Sequence, residues 1–185
     1  MLQLIMLFAF GLILASAEAN QSRFVNELDL PEILQRLDTL TNRFNDLEAK
    51  YNHGPIAFKA SLTRAVSPGP NQRIIFDDVK LNLGNAYNQH LGGFVAPLNG
   101  TYLFSVYVCS AGAHYIALDL LRNSEIIGKV QAGDATYTAC SSETTIAKLN
   151  AGDAVFVQHH GGSGDLVHVQ EDILNSFTGS LLQVV

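Results

Sequence analysis

His159, His160, Ser163, Asp165 and His168 fall within one short stretch, and these are the side chains that nucleophilic catalysis or transition-metal binding would use. A Ser-His-Asp relay needs its members held rigidly within hydrogen-bond reach, whereas these residues flank the Gly-rich run Gly161-Gly162-Ser163-Gly164. Adjacent histidines on an extended chain point to opposite faces, which argues against a zinc or copper pair at His159 and His160. Nor does the sequence contain a Gly-x-Ser-x-Gly elbow, a His-Glu-x-x-His helix, a P-loop or a Cys-x-x-Cys pair. Catalysis is not expected. Recognition suits the stretch better, because glycines let Asp165, His168 and nearby backbone groups approach a polar ligand closely, with His159, His160 and Asp172 beside them. If calcium takes part, Asp165→Ala is expected to remove chelator sensitivity along with binding while leaving thermal stability almost unchanged. The loop from Ala132 to Tyr137 is a lesser candidate.

The elements that must position this stretch have a period of two. Tyr102, Phe104, Val106 and Val108 alternate on one face, Ile116, Leu118 and Leu120 do the same, and Val155 and Val157 repeat the pattern. Turn signals separate these short runs: Ser67-Pro68-Gly69-Pro70, Gly92-Gly93, Asn99-Gly100, Asn123-Ser124, Ala132-Gly133-Asp134 and Asn150-Ala151-Gly152-Asp153. This rhythm predicts an all-β sandwich and leaves an immunoglobulin-like domain and a jelly roll both open.

Phe76, Asn82, Tyr87, Phe94, Gly100, Tyr102 and Phe104 stand at fixed spacing. That spacing resembles the signature of the complement C1q globular-head family, departing from it only where the family has an aromatic and this chain has Val106. Leu149 to Val157 resembles the family's turn between two late strands, and Ser176 to Leu182 its closing strand. The resemblance implies a ten-stranded jelly roll of the C1q and tumour-necrosis-factor type over residues 54–185, and trimeric heads. It also makes calcium a candidate ligand, with Asp165, Glu171 and Asp172 as possible donors and Asp119 and Asp134 behind them. The plainer reading of those acids, solvated turn and rim carboxylates, is favoured. Phe76, Phe94, Tyr102, Phe104 and Phe177 are read as structural core.

Ahead of the head, Leu30, Ile33, Leu37, Leu40, Phe44, Leu47 and Tyr51 alternate steps of three and four, which predicts a coiled-coil helix over 29–53. Asp29 with Glu32 forms a plausible capping box, and Gly54-Pro55 supplies the stop. No Gly-x-y repeat is present, so this stalk takes the place of a collagen segment. The apolar run Leu2 to Leu14 followed by Ala15-Ser16-Ala17 reads as a signal peptide over 1–17, with a linker over 18–28. A net charge of −6 without a Lys/Arg cluster argues against nucleic acid as a partner. No later segment reads as a membrane span.

In a chain passing through an oxidising compartment, the even pair Cys109 and Cys140 is expected to form a disulfide. Asn99-Gly100-Thr101 and Asn20-Gln21-Ser22 are glycosylation sequons, the first also a hairpin-turn signal. The expected product is a secreted, extracellular homotrimer that binds carbohydrate or other repeated groups on microbes or cells, with no nucleic-acid partner and no membrane insertion. The alternatives are a signalling or adhesion ligand of the cerebellin or adiponectin type with a protein receptor, and a matrix protein. The fold alone does not choose among them.

Overall fold

A computed structural model describes residues 30–161, 165–170 and 172–185, the side chains of residues 49–51 excepted. The signal-peptide and linker segments, Asn20, Asp29, Ser163 and Glu171 lie outside the described residues. The chain divides into two compact units, Met1–Asn52 and His53–Val185.

In the first unit a single helix, α1, runs over Leu30–Tyr51. Pro31 occupies its first turn, where the missing N–H costs nothing, and Glu32 pairs with Arg36 at 2.7 Å one turn on. Leu30, Ile33, Leu37, Leu40, Phe44 and Leu47 all remain exposed along it, Phe44 at 65%. An isolated helix of this length gains little from propensity and draws its stability from packing an apolar face.

The second unit holds ten strands: β1 Ala57–Ser61, β2 Asp78–Leu83, β3 Tyr87–Asn88, β4 Gly93–Val95, β5 Gly100–Ser110, β6 His114–Arg122, β7 Glu125–Asp134, β8 Ala139–Leu149, β9 Ala154–His159 and β10 Ser176–Val184. They form two five-stranded antiparallel sheets, ordered β2-β1-β10-β5-β8 and β3-β4-β9-β6-β7. This is a jelly-roll sandwich whose inward-facing residues alternate with outward ones along each strand. Tyr102, Phe104, Val106 and Val108 of β5 are buried, as are Ile116, Leu118 and Leu120 of β6 and Val155 and Val157 of β9.

The spaced residues of the signature each have a mechanical reason. Phe58 lies 4.7 Å from the Tyr87 ring, 5.4 Å from Phe94 and 4.8 Å from Phe177, the last edge-on. Tyr102 and Phe104 close the cluster against Phe94 at 5.5 and 5.4 Å. Such offset and edge contacts add to the burial itself. Asn82 clamps the start of β3, its Nδ2 donating to Tyr87 O and its Oδ1 accepting the Tyr87 N–H. The Tyr87 hydroxyl donates to Phe76 O, and its burial raises its pKa. At Gly100 a Cβ would fall 2.6 Å from Gln183 O, and at Gly179 one would fall 2.6 Å from the Phe58 and Phe104 rings, so both positions require glycine.

Ala132-Gly133-Asp134, read from the sequence as a turn, instead finishes β7. Gly133 sits opposite Tyr115 in the β6–β7 ladder, and a Cβ there would lie 2.6 Å from Tyr115 Cβ. Glycine serves that close approach and not a chain reversal.

Cys109 and Cys140 form a disulfide between directly opposed residues of β5 and β8. It closes a span of 31 residues, so replacing both cysteines with serine is expected to cost about 2–5 kcal/mol. Urea denaturation measures the loss. Native protein with two free thiols on peptide mapping would contradict the linkage.

Candidate functional site

Loops at one end of the sandwich converge on the segment Asp165 to His168, which is fastened on three sides. Leu166 N donates to Tyr115 O, Val167 exchanges two backbone hydrogen bonds with Val66, and His168 N donates to Cys109 O. Asn175, 1% exposed, completes the anchor: its Oδ1 accepts the Cys109 N–H and its Nδ2 donates to His168 O. Val167 can therefore be fully buried without orphaned backbone groups.

This anchoring corrects the expectation for Asp165. The carboxylate is buried at 4% exposure, and its Oδ2 lies 2.5 Å from Nε2 of His159, which is itself 0% exposed. His159 Nδ1 donates to Gly69 O at 2.9 Å. Asp165 thus closes a buried pair that pins the segment to the β1–β2 connection, and its removal must affect stability. His160, next along the chain, is half exposed on the opposite face, and its Nδ1 donates to Asp119 Oδ2 at 2.7 Å. Lys129 stands 3.8 Å from the other Asp119 oxygen. The five recognition candidates are therefore dispersed: His159 and Asp165 are internal, His160 faces outward, His168 Nε2 meets Gln170 Oε1 at 3.3 Å, and Asp172 is exposed.

Among the described residues the candidate acids do not assemble into a calcium cage. Among the described residues no three His, Cys, Asp or Glu side chains come together as metal ligands. Asp165 and Asp119 are engaged by histidines, and Asp134 Oδ1 accepts from Thr136 N, Thr136 Oγ1 and Tyr137 N. Those bonds, led by the Thr136 amide, hold the Asp134 pKa below its usual value.

What the structure does build here is an open depression of about 670 Å³ lined by His114, Tyr115, Gln131, Gly133 and Asp134, with Ala113 and Ala135 at its ends. Tyr115 stands 43% exposed in its wall, and glycine at 133 leaves the ring without a cross-strand side chain. The neighbouring Asp165 carboxylate raises the Tyr115 pKa, so the phenol stays protonated. Gly112, whose Cβ would fall 2.5 Å from Thr136 O, locks the β5–β6 and β7–β8 loops against each other. The sequence placed the Ala132–Tyr137 side of this depression but missed Tyr115, His114 and Gln131. Tyr115 preceding the inward Ile116, with Gly133 in the next strand, is the signal that could have found them.

Of the remaining site residues, Asn99 is exposed with Oδ1 accepting the Ala151 N–H. No helix among the described residues is long and apolar enough to cross a membrane.

Comparison with known proteins gives a consistent family. The C1q domain model matches residues 57–182. The chain is 33% identical over 133 residues to heavy metal-binding protein HIP of Mytilus edulis, covering 69% of this chain and 60% of that protein. It is 29% identical over 129 residues to complement C1q tumor necrosis factor-related protein 3 of Mus musculus, covering 69% and 51%. The chain thus spans between half and two-thirds of the length of these relatives. In fold it is similar to the globular domain of zebrafish complement 1qA, with a TM-score of 0.55 at 17% identity, over 70% of this chain and 99% of that one. The family match runs across the strands from β1 to β10 and over every residue that clamps the aromatic core, and on that ground the chain belongs to the C1q domain family.

Proposed function

We propose that this is a secreted, homotrimeric, lectin-like recognition protein of innate defence, whose Tyr115 depression binds carbohydrate on microbial or cell surfaces. The half-exposed Tyr115 ring, open over Gly133 and flanked by His114, Gln131 and Asp134, carries the reading. A pyranose offers an apolar C–H face and a rim of hydroxyls. An amphipathic aromatic ring with a few polar groups around it matches both. Asp134 supports the rim contacts, since the bonds that fix it fall on Oδ1 and leave Oδ2 to accept a saccharide hydroxyl.

Trimer formation is supported separately in each unit. The apolar heptad row of α1 is exposed, and the outer face of β10, β5 and β8 carries three uncharged rows: Ser176-Tyr107-Ser142, Thr178-Ser105-Thr144 and Ser180-Leu103-Ile146. Ile146 is 62% exposed there, and none of the three rows carries a charge that would resist burial, Lys59 and Lys148 standing beyond them. Three weak saccharide sites on one particle gain avidity against a repeating target. Secretion follows from the signal-peptide reading of residues 1–17.

A glycan and microbe binding screen tests the assignment, run with and without a calcium chelator. Tyr115→Ala is expected to weaken the strongest glycan signal by at least about tenfold, the equivalent of one lost anchor contact. Undiminished binding by Tyr115→Ala to every glycan and microbe in the screen would remove the site from this depression.

A further inference from the structure

Asn99 stands on the connection between β4 and β5, and those two strands belong to different sheets. The Asn-Gly pair, which in one dimension signals a hairpin, therefore lies in an inter-sheet crossing, and Gly100 already pairs with Val184 and Leu149 as the first residue of β5. The crossing is tied along its length. Ala96 N donates to Asp153 O, Ala96 O accepts from Gly152 N, the Tyr102 hydroxyl donates to Leu98 O, and Val185 N donates to Asn99 O. One further bond orients the exposed Asn99 side chain, whose Oδ1 accepts the Ala151 N–H at 2.8 Å. With the oxygen turned to Ala151, Nδ2 is the atom left without a partner among the described residues. Thr101, two residues on and only half-buried, has its hydroxyl equally unengaged among them.

We propose that Asn99 carries an N-linked glycan, transferred from a lipid-linked oligosaccharyl diphosphate in the secretory lumen. Nδ2 forms the bond to the sugar C1 and gives up one proton. The C1–O bond to the diphosphate breaks, and the lipid diphosphate leaves with the electron pair, so nothing is oxidised or reduced. Asn-Gly-Thr supplies the acceptor sequence, and the fold meets its two physical demands, an exposed acceptor nitrogen and a surface position. The modified amide keeps its oxygen, so the bond from Ala151 survives and the fold carries the sugar without orphaning a backbone group. Position has a consequence. From Gly100 the eleven residues of β5 run about 33 Å to Ser110, beyond which Ala113, His114 and Tyr115 wall the depression. The glycan thus sits at the opposite end of the sandwich and leaves that depression open. The proposal rests on the secretion part of the reading above.

Peptide mapping of the full chain, secreted from cultured animal cells and treated with peptide N-glycosidase in ¹⁸O-water, tests it. Asn99 is expected to be converted to Asp carrying ¹⁸O, which requires a sugar on Nδ2. Thr101→Ala, which removes the hydroxyl of the acceptor sequence and leaves Asn99 with its Ala151 contact, is expected to abolish the label, and Thr101→Ser to keep it. Removing the sugar from the folded protein is expected to leave target binding unchanged; loss of binding would overturn its placement away from the depression. Secreted wild-type protein with Asn99 unlabelled, or labelled at Asn20 alone, would overturn the proposal while secretion stands. A chain retained in the cytosol with Asn99 bare would overturn both.

Discussion

Asp165→Ala is expected to lower the stability of the β-unit by about 2–3 kcal/mol, the scale of leaving a buried hydrogen-bonding group without its partner. The His159 ring has oxygen acceptors at both nitrogens, Gly69 O at 2.9 Å and Asp165 Oδ2 at 2.5 Å, and neither side chain is open to water. Alanine leaves Nε2 buried without a partner. The loss also frees the segment that Val167 buries between Val66 and the core. Asp165→Asn, which keeps an oxygen and a hydrogen-bonding amide of the same shape, is expected to lose less than half as much. Urea denaturation of the three proteins measures the series, and a change below about 0.5 kcal/mol in the alanine variant would show that the pair is not formed.

The second large effect concerns assembly. Leu37→Asp combined with Leu40→Asp places two carboxylates per chain in the middle of the α1 apolar row, where both leucines are exposed in the single chain at 58% and 61%. In a three-stranded seam each leucine contributes roughly 1.5–3 kcal/mol of burial, and each aspartate must instead be desolvated or expelled. The apparent dissociation constant of the trimer is therefore expected to rise by at least about a hundredfold. Sedimentation velocity at micromolar concentration reads the result. A wild-type protein already monomeric there would contradict both the stalk and the uncharged sheet face.

Much of the fold was legible in the sequence because its determinants are local in pattern. Alternation along β5, β6 and β9 needs only the strand period, and the spacing of Asn82, Tyr87 and Gly100 records a clamp and a close approach. The disulfide was legible from count and compartment. The site was less so, because it depends on register and on distant loops. Gly133 and Asp134 look like a turn in one dimension, yet β6–β7 pairing puts Gly133 under Tyr115. Asp165 follows a Gly-rich run and looks solvated, yet His159 and the carbonyl of Gly69, 90 residues upstream of that histidine, draw it inside. Tyr115 reads as an ordinary outward strand residue until the missing side chain opposite it is seen.

Backbone ¹H–¹⁵N shift mapping of the full chain with the strongest glycan from the screen tests the central claim most directly. The account predicts that the largest shifts fall on His114, Tyr115, Gln131, Gly133 and Asp134, and that they vanish in Tyr115→Ala. Shifts concentrated elsewhere on the β-unit, with these five unmoved at saturation, would contradict it.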